Sequence, residues 1–120
     1  MTDLVAVHDR LRAILEPYRD GLVATKDGPA GMTLEIPGLE GKPWGYVAAT
    51  RLGKRYVSFY LMGVYASPEV AATISPQLKR RMQGKSCFNF ATIDEDLLRE
   101  LAELTARAVP AVRELVAART

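Results

Sequence analysis

Cysteine, histidine and tryptophan each occur once in this chain of 120 residues, as Cys87, His8 and Trp44. A single cysteine excludes an internal disulfide and fits a reducing compartment. One cysteine and one histidine cannot supply the several ligands of a zinc site. No apolar run approaches the ~18 residues that a membrane span needs. The first residues, Met1 to Ala6, carry an acid and lack a basic stretch followed by an apolar run, so no secretory leader is expected there. The expected location is the cytoplasm. Repeats, linkers and low-complexity stretches are also missing.

What is present is the composition of a globular chain. Hydrophobic residues make up 48% and charged residues 25%, close to folded averages and unlike a disordered chain. The length suits one domain, taken as residues 1–120. Net charge is +2, but it is unevenly spread. Between Gly41 and Ile93 eight bases face one acid, Glu69, a net of +7 that leaves −5 for the two ends. A basic middle attracts anions unless its charges only solvate a surface, the plainer reading of a charge run.

Hydrophobic periodicity orders the elements. Leu4, Val7, His8, Leu11, Ile14 and Leu15 recur at helical spacing, predicting a helix over 3–17 capped by Thr2 or Asp3. A short strand is expected at 21–25. Met32, Leu34 and Ile36 alternate with Thr33 and Glu35 as in a half-buried strand. Further strands are expected at 44–51 and 56–61, joined by a tight turn at Leu52-Gly53-Lys54. Ser67-Pro68 and Ser75-Pro76 each place a serine cap before a proline, predicting short helices over 68–73 and 76–83, the second ended by Gly84. A strand over 86–90 sets Phe88 and Phe90 on one face.

Thr92-Ile93-Asp94-Glu95 reads as a capping box for a long final helix. Leu97, Leu98, Leu101, Leu104, Ala108, Val112 and Leu115 form its apolar face. Pro110 removes a backbone donor and is expected to kink or split that helix. The fold class that follows is α+β: an antiparallel sheet of about five strands, the N- and C-terminal helices on one face, and two short helices in the connection.

Segments 56–65 (YVSFYLMGVY) and 74–90 (ISPQLKRRMQGKSCFNF), with Thr92 to Glu95 behind them, resemble the YdhG-like bacterial family of small domains. The similarity spans about residues 44–105, and the run 82–90 is its most specific part. The resemblance implies an α+β fold and no assigned activity. One branch is described as frataxin-like intracellular iron chaperones, so it also implies iron as a ligand held by acids.

Several chemistries can be weighed on the residues themselves. Gly84-Lys85-Ser86 looks like the end of a phosphate-binding loop, but the glycine required five positions earlier is Lys79. Cys87 needs a base to become a nucleophile, and His8 lies on an apolar stripe. Asp96, Glu100 and Glu103 share a helix face that could hold a metal, though acids in a first turn usually serve the helix dipole. Lys79, Arg80, Arg81 and Lys85 could bind nucleic-acid phosphates, but no recognised motif accompanies them and nucleic acid is not expected.

The strongest signal is a sheet face. Val57, Phe59 and Leu61 point one way along their strand, and Tyr56, Ser58 and Tyr60 the other. Trp44 and Tyr46 alternate similarly, Cys87 and Asn89 oppose Phe88 and Phe90, and Tyr65 and Lys85 are placed to rim the face. Aromatic bodies with polar tips suit a pocket or an interface. The expectation is a non-enzymatic binding or accessory domain for a small molecule or a protein partner, with a homodimer as one form of partner. Its alternatives are an iron chaperone and an enzyme of unrecognised type.

Overall fold

A computed structural model describes residues 3–119. Six strands form one antiparallel sheet in the order β1-β2-β3-β4-β6-β5. They are β1 (Val23–Gly28), β2 (Gly31–Glu35), β3 (Tyr46–Leu52), β4 (Val57–Leu61), β5 (Met82–Gln83) and β6 (Cys87–Phe90). Five helices accompany them: α1 (Leu4–Leu15), α2 (Met62–Ala66), α3 (Pro68–Ala71), α4 (Pro76–Lys79) and α5 (Glu95–Arg119). The fold is α+β, with α1 and α5 packed on the sheet face that carries Val57, Phe59, Leu61, Phe88 and Phe90. Among the described residues no helix is long and apolar enough to cross a membrane.

Local chemistry explains most boundaries. The Asp3 carboxylate caps α1 by accepting from the amides of Val5 and Ala6, whereas the other candidate cap, Thr2, lies outside the described residues. Pro17 falls in a 3-10 turn, Glu16–Tyr18, that ends the helix. Ser67 and Ser75 cap α3 and α4 as their Ser-Pro pairs require.

Four expectations need correction. A further short helix, α2, continues straight from β4, because Gly63 and Val64 are buried as the segment packs against α5. Helix α4 stops at Lys79, and the chain then forms a sixth strand, β5, hairpinned to β6. Gly84, at φ +82°, is the left-handed residue of that hairpin and not a helix terminator. The last helix is capped by Asp94, whose side chain accepts from Leu97 N and whose carbonyl accepts from Leu98 N. Thr92 is not the cap; Glu95 is drawn into an ion pair with Arg10. Finally, α5 runs unbroken through Pro110. Both Pro110 and Ala106, whose carbonyl loses its partner, are exposed, so water can take up the freed acceptor.

Helix α5 then organises the 62–79 segment. Gly63 packs directly on the α5 backbone: a Cβ there would lie 2.2 Å from the Ala108 carbonyl oxygen. Glu100 accepts from Ser75 N at 2.8 Å and from Ser75 Oγ at 2.6 Å. Arg107 donates to Thr73 Oγ1 at 3.1 Å. Nearer its C-terminus, Arg113 reaches Gly21 O at 2.7 Å and ties the helix to the approach to β1.

Candidate functional site

The residues singled out in the sequence separate into two places. Tyr46, Ser58, Tyr60 and Asn89 stand together on the sheet face that the helices leave open. Tyr46 reaches that face through a bulge. Leu34 pairs with Ala48 and Glu35 with Tyr46, so Val47 is the extra residue. Tyr46 therefore turns to the side of its partner Glu35. Tyr56 lies in the β3–β4 loop, outside the strand expected to contain it, and borders the same face.

The polar groups of this face largely satisfy one another. Ser58 Oγ donates to Asn89 Oδ1 at 2.8 Å, and Asn89 Nδ2 donates to Gln83 Oε1 at 2.7 Å. Glu35 is only 7% exposed, accepting from the Thr25 hydroxyl and, at 2.9 Å, from Gly41 N. Burial pushes the Tyr46 phenol well above its ordinary range, aided by Tyr60, Cys87 and Glu35. A shallow depression of about 570 Å³ remains between Tyr56, Ser58, Tyr60 and the bases Arg51, Lys54 and Arg55.

Nucleophilic chemistry finds no support on this face. Burial raises the Cys87 thiol, and hydrogen bonds with Ser58 and Tyr60 offset that only in part. His8 lies on the other side of the sheet, 1% exposed, with Nε2 2.9 Å from Thr50 Oγ1. Thr50 pairs with Phe59 on the helix-covered face, and Cys87 pairs with Tyr60 on the open one. The sheet itself separates the two groups that a thiolate–imidazole pair would need.

Trp44, Tyr65 and Lys85 lie elsewhere. Trp44 is not in a strand; it sits in a 3-10 turn, Pro43–Gly45, because Pro43 at its first position starts the turn and strand pairing begins only at Tyr46. It is 48% exposed, and Tyr65, on α2, is 60% exposed. With Lys85 these residues edge an open cleft of about 1110 Å³. Its apolar lining comes from α2 (Met62, Val64), Ile74, Met82 and the last turns of α5 (Val112, Leu115, Val116). Among the described residues, Lys79 and Lys85 are its only charged lining side chains. Lys85 Nζ stands 5.7 Å from the Tyr65 ring centre, and Lys42 Nζ 5.8 Å from that of Trp44.

Sequence reasoning missed this cleft because six elements, with the loops between them, build it. One signal was available. The apolar stripe of α5 continues to Leu115 and Val116, beyond the stretch that packs on the sheet. Leu115, expected to be buried, is 37% exposed in the cleft.

The acids of the final helix have other partners. Glu100 spends both carboxylate oxygens on Ser75. Asp96 lies 3.7 Å from Arg99 on the surface, and Glu103 is exposed. Among the described residues no group of three or more His, Cys, Asp or Glu side chains is arranged to hold a metal ion. Comparison of the chain with family models, with curated proteins and with solved structures gives no match.

Proposed function

We propose that this chain is a binding domain whose ligand, a small molecule with a substantial apolar body, occupies the cleft between α2, Ile74, the β5–β6 hairpin and the end of α5. One observation carries the reading. A concave volume of about 1110 Å³ is lined mainly by apolar side chains and edged by an exposed Trp, an exposed Tyr and two lysines. That combination of apolar floor and few polar groups is the usual make-up of a small-molecule site. The open sheet face supports it less well, since Ser58, Asn89 and Gln83 already use hydrogen-bonding capacity on each other.

Kinship with the YdhG-like domains belongs to the same proposal. The run that carries that resemblance, 82–90, forms β5 and β6, and Met82, Gly84 and Lys85 within it line the cleft. A second reading keeps the sheet face as a site for a polar anion or an acidic partner. It is supported by Arg51, Lys54 and Arg55, which border the depression and have no ion-pair partner among the described residues. The iron-chaperone alternative has no comparable observation behind it.

Trp44 is the only tryptophan, so its emission reports directly on the cleft. Titration with anilinonaphthalene sulfonate should quench Trp44 and enhance the dye. Leu115→Glu, a change at an exposed position, should weaken that binding at least tenfold while leaving the fold intact. Equal binding by both proteins would refute the cleft as the site.

A further inference from the structure

We infer that the ligand of this cleft is a single-chain amphiphile with an anionic head group, its chain on the apolar floor and its head held by Lys79 and Lys85. The inference rests on the cleft reading and adds the ligand's chemistry. Its first support is the lining itself, which among the described residues contains two cations and no carboxylate.

The second support is the charge map of the whole molecule. Every ion pair among the described residues lies within or between the two ends of the chain: Arg10 pairs with Glu95, Arg12 and Arg19 with Glu16 and Asp27, and Arg99 with Asp96. The eight bases between Gly41 and Ile93 have no such partner among the described residues, and Glu69 is the sole acid in that stretch. The acidic ends therefore do not neutralise the basic middle. Lys79 and Lys85 are exposed and free to meet a ligand's charge. An unneutralised cation beside apolar surface selects for a ligand that is itself apolar and anionic.

The same features argue against other occupants. In a two-fold dimer built on this cleft the same surface would face itself, bringing four lysines into one interface whose described lining supplies no carboxylate. Bilayer-bound helices present a protruding apolar face to the lipid, whereas these side chains line a concavity. The occupant is accordingly one free molecule.

The test uses three ten-carbon probes below their micelle concentrations: decanoate, neutral decyl maltoside and cationic decyltrimethylammonium. Binding is followed by calorimetry and by Trp44 emission. Decanoate should bind at least tenfold more tightly than the maltoside, and the cation more weakly still. The double variant Lys79→Gln/Lys85→Gln should collapse the decanoate-to-maltoside ratio towards one. A double variant with the same charge change elsewhere, Lys26→Gln/Arg99→Gln, should keep it. Equal affinity of the unmodified protein for decanoate and maltoside would overturn the head-group inference while the cleft reading stood. Failure of all three probes to bind would overturn the cleft reading with it.

Discussion

Replacing Gly63 by alanine tests how the cleft is built. The backbone at Gly63 has negative φ, so alanine adds no conformational strain. The cost comes from contact alone. An added Cβ would lie 2.2 Å from the carbonyl oxygen of Ala108 and 2.6 Å from its Cα and carbonyl carbon. Real Cβ atoms do not approach closer than 3.0 Å, so α2 and α5 must part by ~1 Å to restore ordinary contact. The obstructing atoms are backbone on a long helix and cannot swing aside. Overpacking of this kind costs about 1–3 kcal/mol, and the rigid neighbour places Gly63→Ala in the upper half of that range. For a chain of this length each kcal/mol lowers Tm by about 4 °C, giving a fall of roughly 8–12 °C by calorimetry. Gly28→Ala is the control, since nothing lies within 4 Å of a Cβ there, and it should change Tm by less than about 2 °C. Because α2 supplies Met62, Val64 and Tyr65 to the cleft, the Gly63 variant should also alter dye binding. An unchanged Tm for Gly63→Ala would refute this account of the α2–α5 contact.

Three further outcomes are expected. Burial and the neighbouring Arg12 hold the His8 imidazole below its ordinary pKa, against a smaller opposing effect of Asp9. The unfolded chain therefore takes up a proton near pH 6.5 that the fold binds less readily, and stability must fall as pH drops below about 6.5, by up to ~1.4 kcal/mol per pH unit. The depressed carboxyls of Asp27, Glu40 and Glu95 act at lower pH, so urea titrations across that window should lose the slope in His8→Gln, and a slope that survives would contradict the assignment. Glu100→Ala leaves Ser75 N and Oγ without their partner and should cost about 1–2 kcal/mol in denaturant unfolding; a neutral result would mean that the bond does not anchor α4. Alkylation of Cys87 by iodoacetamide should rise with a midpoint above the ordinary thiol pKa of about 8.5, and fast reaction at neutral pH would contradict the half-buried, protonated thiol.

The legible parts of this fold were those specified by local chemistry. Asp3, Ser67 and Ser75 cap helices because short polar side chains reach free amides, and that rule needs no tertiary context. The alternation of Val57, Phe59 and Leu61 against Ser58 and Tyr60 placed both faces of β4 correctly, since period two leaves no choice. Tertiary pairing decided the rest. Met82 and Gln83 became a strand only because β6 offered an edge, and Tyr46 reached the open face only through the extra residue Val47. The candidate site divided for the same reason. Tyr46, Ser58, Tyr60 and Asn89 share strand register, whereas Trp44, Tyr65 and Lys85 belong to a turn, a helix and a hairpin that meet only in three dimensions.

Amide chemical-shift mapping of the labelled protein with decanoate tests the central claim most directly. The account predicts shifts concentrated at Met62, Tyr65, Ile74, Lys85, Val112 and Leu115, with Trp44 Nε1–H among the largest, and little change at Ser58, Tyr60 and Asn89. Shifts concentrated on those three sheet residues and on Arg51, Lys54 and Arg55, with the cleft silent, would contradict it.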